Sequence, residues 1–407
     1  MRWLHTSDWH LGRGFHGDSL QSAQEEMLRT VCTTVEEQDV DVLLVSGDVY
    51  DRSLPPEWAV RRLEECLLRL ADRGTRVIIT PGNHDSAQRL GFGGPLMAAS
   101  GIHLRTTLDD AWNPVVLPED DGDVTALVYG VPYLEPALVR EPLALQRADH
   151  TSVMRAVVAR IWEDVEHRRA ELAPGHELRV VLMAHLFAAR GAGSDSERNI
   201  GVEAPSGESL EHSEETAGGL AVVPLEAFDG FDCVALGHLH GRQRLSPTVR
   251  YSGSPLRYSF SETRQAKGAW LWDSRDWTDV TPVDWAVGRP LAQLEATIDE
   301  VLSPETVAAH HESYLQVRLT DAARPPRAFQ RVREAYPNLA SFAHIGGDRP
   351  GERSTYSSRV ERTRTDAEVV ESFFDHVRGR GIDAEEQDLL DGALEAVRMA
   401  RAERDAG

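Results

Sequence analysis

Long apolar runs are missing from this chain of 407 residues, and so is a positive charge balance. No apolar stretch approaches the ~20 residues a helix needs to span a bilayer, which argues against an integral membrane protein. Lysine and arginine together number 43 against 66 aspartates and glutamates, a formal charge of −23. Such a chain repels nucleic acid on average, because affinity for phosphate comes from cationic side chains. Bound divalent cations would change that field locally. Cysteine is scarce: Cys32, Cys66 and Cys233 are far apart in sequence and form no CxxC pair. They read as small buried apolar residues in a reducing compartment. No N-terminal signal peptide is visible, since Met1 leads almost directly into a strand that carries Asp8. These features imply a cytoplasmic protein. There is no Gly-x-x-x-x-Gly-Lys loop of the kind that binds ATP. No internal repeat is found.

What the chain does have is an ordinary apolar fraction and length for two or three domains. Over roughly its first 285 residues, strand-like runs alternate with helical patterns. Residues 19–38, 56–73, 86–100 and 152–172 are expected to be helices, the third of them weak and interrupted by glycine. Pro56 stands in the first turn of the second, and Gly74 just past its end. The alternation implies an α/β layered domain, in which loops at the carboxyl ends of strands bind ligands. Residues 186–219 are rich in Gly, Ser and Glu and read as a long surface loop. Composition shifts near Gly288-Arg289-Pro290. Residues 291–302 look helical, 314–319 alternate like a half-buried strand, 328–336 look helical and 339–345 form a short strand. The expected division is a large α/β domain at 1–285, a small α+β domain at 286–345, a linker at 346–365 and a helical tail at 366–407. In that tail Val370, Phe373, Phe374 and Val377, then Leu390, Leu394 and Val397, mark two short amphipathic helices.

The chemistry lies at the ends of the apolar runs. Trp3-Leu4-His5-Thr6-Ser7 leads into Asp8-Trp9-His10, and Val42-Leu43-Leu44-Val45-Ser46 into Gly47-Asp48. Val77-Ile78-Ile79-Thr80-Pro81 leads into Gly82-Asn83-His84-Asp85, Val180 to Ala184 into His185, and Cys233-Val234-Ala235-Leu236 into Gly237-His238-Leu239-His240. Asp8-x-His10 and Gly47-Asp48 are weak signals singly. Gly82-Asn83-His84-Asp85 and Gly237-His238-x-His240 are sharper, because Asn is a neutral oxygen ligand and two histidines sharing a face of a strand end are more often ligands than core. The set mixes carboxylate, imidazole and amide with no thiolate. That suits Mn²⁺, Fe²⁺ or Zn²⁺ over Ca²⁺, and its oxygen share favours Mn²⁺. Two ions about 3.5–4 Å apart, sharing a carboxylate, are suited to phosphoryl transfer. Asp48, central in the order, is the natural bridge.

These motifs, from Leu4-His5-Thr6-Ser7-Asp8-Trp9-His10-Leu11-Gly12 to Gly237-His238-Leu239-His240, resemble the calcineurin-like metallophosphoesterases. The first of them, with Tyr251-Ser252-Gly253-Ser254-Pro255, is similar to the DNA break-repair nuclease branch that contains the bacterial SbcD family. The resemblance by motif covers roughly residues 1–260; beyond that it is architectural. It implies a layered β-sandwich flanked by helices, with a small α+β cap and a C-terminal partner-binding segment. It implies Asp8, His10, Asp48 and His240 on one ion and Asp48, Asn83, His185 and His238 on the second. His84 would be catalytic without being a ligand, acting near the leaving group. Asp51 and Asp85 would be either acceptors for histidines or turn residues. Arg13, His16, Arg52, Arg89, Arg242 and Arg257 lie in or near motif loops and could touch phosphates.

The implied activity, carried by residues 1–285 as the nuclease domain, is 3′-to-5′ exonuclease action on duplex ends and endonuclease action on hairpins or single strands. The implied partners are DNA, an SMC-like ATPase of the SbcC type that gates the site, and a second copy of this chain within a heterotetramer. Residues 56–70 or 86–100 could supply the contact between copies. The acidic balance fits a partner that supplies much of the basic DNA surface. A small-molecule phosphodiesterase would share every ligand, but needs neither cap nor tail. A non-catalytic scaffold would not be expected to keep the full ligand set together with His84.

Overall fold

The computed structural model describes residues 1–119, 123–188, 222–346 and 386. The expected linker beyond residue 346, the tail helices and most of the 186–219 loop lie outside the described residues. The chain divides into two compact units, Met1–Arg318 with Phe329–Phe342, and Leu319–Ala328 with Ala343–Gly407.

The first unit is built on two six-stranded sheets. In the first sheet, Arg2–Thr6, Val42–Ser46, Arg76–Thr80 and Ile102–Leu104 run parallel in that order, and Gly268–Asp273 and Asp276–Asp284 add antiparallel beside Arg2–Thr6. In the second, Val124–Gly130, Glu177–His185, Cys233–Gly237 and Val249–Tyr251 are parallel, edged by antiparallel Val115–Pro118 and Gln243–Arg244.

The near-continuous apolar strands are explained by burial on both faces. Alternate residues separate into layers. Trp3, Val42, Leu44 and Ile78 from the first sheet pack with Val181, Met183, Cys233 and Ala235 from the second, forming the interior of the sandwich. Leu4, Leu43, Val45, Val77 and Ile79 point the other way, onto the helices Gln21–Glu37 and Glu57–Arg73. Val180, Leu182, Val234 and Leu236 pack on the helix His150–Glu171. The result is helix, sheet, sheet, helix. The period of two places Ser46, His185 and Gly237 on the interior layer at the carboxyl ends of their strands.

The helices stand close to where the spacing predicts them. The expected Gly-interrupted helix is two short ones, Ala87–Leu90 and Gly94–Ala98. One expectation fails: residues 291–302 are not a single helix. Leu291–Ala296 is a strand of a three-stranded sheet with Tyr314–Leu319 and Leu339–His344. The helix starts only at Ile298, after a capping box in which Thr297 and Glu300 bond reciprocally. The Thr-x-x-Glu signal marks that start in the sequence. Cys32 and Cys66, far apart in sequence, bring their Sγ atoms to 3.3 Å between neighbouring helices as free thiols. Among the described residues no helix is long and apolar enough to cross a membrane.

Candidate metal centre

The strands bring Asp8, His10, Asp48, Asn83, His84, His185, His238 and His240 to one edge of the sandwich. Three sets of ligand atoms each lie within 4.8 Å of one another: Asp8, His10 and His240; Asp8, Asp48 and His185; and His10, Asp48 and His84. Asn83 Oδ1 is 3.0 Å from His185 Nε2 and 3.3 Å from His238 Nδ1. The Nε2 atoms of His10 and His240 face each other at 3.1 Å.

The backbone is bent to achieve this. Asp8, His10, Asp48 and His238 have φ of 54°, 44°, 50° and 105°, left-handed values that non-glycine residues seldom adopt. Such residues cost about 1–3 kcal/mol each and persist only where their surroundings over-determine them. The surroundings here are hydrogen bonds between loops. Asp8 N–H donates to the Gly47 carbonyl at 3.0 Å and His10 N–H to that of Asp48 at 2.9 Å. His238 N–H donates to Asp8 Oδ1 at 3.0 Å, tying the tip of the second sheet to the first. His84 N–H donates to Asp48 Oδ1 at 2.9 Å. Asp85 accepts from the amides of Gly82, Val49 and Tyr50 at 2.8–3.0 Å, which makes it a turn clamp and not an acceptor for a histidine. Two glycines make room. A Cβ at Gly82 would lie 2.1 Å from Asp48 Oδ1, and one at Gly237 would lie 1.8 Å from the Ser46 carbonyl oxygen.

The electrostatics call for a cation. Asp8 and Asp48 are fully buried carboxylates. Burial raises the Asp8 carboxyl above its ordinary value, against the pull of His185 and His240. For Asp48 burial is outweighed by the neighbouring histidines, and the group is held well below its ordinary value. Burial would depress His185, but Asp48, 3.3 Å away, and Asp8 lift it to about 9. A proton on His185 thus answers the paired carboxylates. Burial keeps His10 and His238 neutral, the latter at about 3. His10 Nδ1 is buried without a hydrogen-bond partner. Two carboxylates, an amide oxygen and neutral imidazoles converging out of water are a donor set fitted to divalent cations.

Residues 1–242 match the family model described as calcineurin-like phosphoesterase, and residues 287–378 match one described as type 5 capsule protein repressor C-terminal domain. Nuclease subunits of SbcCD that carry the name SbcD are similar over most of their length. The Bacillus subtilis protein is 31% identical over 85% of both chains. That of Staphylococcus saprophyticus is 27% identical over 98% of both, and that of Staphylococcus epidermidis 24% identical over 98% of this chain and 99% of that one. The chain belongs to the calcineurin-like phosphoesterase family, in its SbcD branch.

The other polar residues of this phosphoesterase divide sharply. His84 donates Nδ1–H to the Asp51 carbonyl at 2.8 Å, leaving its Nε2 toward the centre, 4.0 Å from Asp48 Oδ2, with the side chain 24% exposed. A group so placed is fixed in orientation yet open to substrate. Arg52 and Arg89 are exposed beside it, Arg89 bonded to the Ser53 carbonyl. Arg13 lies over the Tyr258 ring and 3.8 Å from Asp51, and His16 is exposed against Phe15 and Phe260. Arg242 and Arg257 are tied into the fold. Arg242 is bound to the carbonyls of Ala269 and Val283 and to Asp284, and Arg257 is half-buried against the Gln265 carbonyl. The partners of Arg242 lie 27 to 42 residues along the sequence, so the motif loops gave no sign of them.

Sequence reasoning also missed what stands behind the ligands. Ser7 donates to Asp8 Oδ2, and its Oγ is 2.7 Å from that of Ser252. Glu262 Oε1 is 3.2 Å from His240 Nδ1, and Lys267 Nζ is 2.6 Å from Glu262 Oε2. One signal was available. Lys267 is the single lysine of the chain, every other basic residue of the Lys/Arg type being arginine.

Proposed function

We propose that this metal-dependent phosphodiester hydrolase is a DNA nuclease subunit that works with an SMC-like ATPase of the SbcC type. The similarity to the SbcD proteins of SbcCD nucleases, end to end at 98% of both chains for one of them, carries this reading. The metal centre supports it. Asp8, His10, Asp48 and His240 would hold one divalent ion, and Asp48, Asn83, His185 and His238 the other, with Mn²⁺ the ion best suited to the oxygen share. Ions held there would supply Lewis-acid stabilisation of charge on a phosphodiester. His84, its ring held by the Asp51 carbonyl, would act from Nε2, stabilising the transition state or protonating the departing oxygen. Arg13, Arg52 and Arg89 would orient the backbone phosphates.

Residues 286–345 serve in this reading as a cap, and 366–407 as the segment that docks on the partner. Exposed Val60 and Leu68, or Phe92 and Leu96, support a contact between two copies through residues 56–70 or 86–100. The test is digestion of end-labelled linear duplex DNA with Mn²⁺ by the full chain, beside D48A and H84Q. Cleavage should fall to the metal-free background in D48A. In H84Q it should fall steeply with metal content unchanged. No cleavage by the wild type, with an SbcC-type partner and ATP added, would overturn the nuclease reading.

A further inference from the structure

The histidines of the metal centre are anchored in unlike ways. His185 Nδ1 is 3.0 Å from a backbone carbonyl, that of Ser46, while His10 Nδ1 has no hydrogen-bond partner, its nearest carboxylate oxygen, on Asp51, lying 3.7 Å away. His240 alone among them has a buried carboxylate at Nδ1. Glu262 is 0% exposed and Lys267 3% exposed. Besides Glu262, the Lys267 ammonium reaches the His240 carbonyl at 2.8 Å, Ser254 Oγ at 3.0 Å and Gln265 Oε1 at 2.9 Å. The Ser254 amide also donates to the His240 carbonyl, at 3.1 Å. A buried ion pair of this kind is costly to desolvate and seldom explained by stability. It is accounted for by what it holds. Glu262 accepts the Nδ1 proton, which fixes the ring and leaves the Nε2 lone pair directed at His10 and Asp8. Lys267 grips the same residue by its backbone.

The Tyr251-Ser252-Gly253-Ser254 segment completes the arrangement, since Ser252 reaches Asp8 through Ser7 and Ser254 reaches His240 through Lys267. The lysine is specific. A compact ammonium with several separately directed donors fills this place, whereas a planar guanidinium presents a rigid fork. In a chain that otherwise uses arginine throughout, the one lysine stands at this buried point of several contacts.

We propose that the Glu262–Lys267 pair is a positioning device for His240 that sets the affinity of the ion at Asp8, His10 and His240, and leaves the ion at Asn83, His185 and His238 nearly untouched. This rests on the two-ion reading above. It is tested by titrating the metal-free full chain with Mn²⁺, following heat and the electron paramagnetic resonance of the bound ions. The variants are E262Q and the double variant E262Q/K267M, which leaves neither buried charge stranded. One of the two ions should bind about 10- to 100-fold more weakly, the usual cost of losing a partner behind a ligand. The other should change less than about threefold, and the coupled two-ion signal should be lost at Mn²⁺ concentrations that saturate the wild type. K267R should not restore it. S254A strands no charge, loosens the Lys267 ammonium and should weaken the same ion by about fivefold, the weight of one hydrogen bond. A purely structural role would lower the metal-free unfolding temperature without separating the two affinities. Wild-type affinities at both ions in the folded double variant, or in S254A should the double variant not fold, would overturn the proposal, as would equal weakening of both. A wild type that binds fewer than two ions would instead overturn the two-ion reading and the proposal with it.

Discussion

The two sheets of the sandwich bring unlike chemistry to the same place. The sheet that begins the chain supplies every proposed oxygen ligand, Asp8, Asp48 and Asn83, together with His10 and His84. The second sheet supplies only imidazoles, from His185, His238 and His240. Neither sheet holds a complete set. The groupings Asp8 with His10 and His240, and Asp8 with Asp48 and His185, both draw on the two sheets. The carboxylates are all on one side, facing imidazoles from the other, so the centre reports how the sheets are packed. Its distortions follow the same division, with three left-handed ligand positions on the first sheet and one, His238, on the second.

That comparison can be broken at several points. Gly82→Ala should have the largest effect, because the added methyl group would meet Asp48 Oδ1 at 2.1 Å. Moving the shared carboxylate by about 1 Å should cost roughly 10²-fold in Mn²⁺-dependent cleavage rate. The fold should be retained by circular dichroism, and an unaltered rate would show that Asp48 need not sit where it does. Trp3→Ala comes next. Trp3 is fully buried between the sheets, packed on Trp272 and Trp277, and is not a ligand. Its truncation should cost about 3–5 kcal/mol in urea unfolding. If the sheets must register to form the centre, it should also weaken Mn²⁺ binding; loss of stability with full metal affinity would break the link.

Ser46→Ala removes the hydroxyl that bonds from one sheet to the Ala235 carbonyl of the other at 2.9 Å. The expected loss is about 1 kcal/mol, read by the same unfolding curves. The last effect is a change of slope with pH. Burial, with Arg250 nearby, holds His5 at about 3 against an ordinary 6.5. The folded chain therefore refuses a proton that the unfolded chain accepts, and stability is lost as pH falls from 6.5 toward 3. In His5→Asn that acid-side loss should be shallower, with curves parallel to the wild type above pH ~7; an identical acid slope would remove His5 from the account.

Much of this was written in the order of the residues. Asp8, His10, Asp48, Asn83, His185, His238 and His240 each follow an apolar run, and runs buried on both faces must be strands whose ends lie together. What could not be read depends on contacts between distant segments. Asp85 looks like a ligand neighbour and is a clamp on three amides. Arg242 looks exposed in its loop and is bound by carbonyls from Ala269 and Val283. Leu291 and Leu294 keep helical spacing, yet the strand Tyr314–Leu319 beside them settles the matter. Glu262 lies 22 residues from His240 in a segment without metal-ligand spacing, and only the unusual choice of lysine at 267 hinted at it.

The division of ligands between the sheets also sets a time at which activity can begin. Asp8 is made near the start of synthesis and His240 some 230 residues later, and the strand that borders Arg2–Thr6 on its outer side, Gly268–Asp273, comes later still. No amino-terminal fragment that ends before His240 carries the full grouping of Asp8, His10 and His240. A centre assembled in this way is incomplete in any chain truncated before His240, and such a fragment is released without the means to complete it.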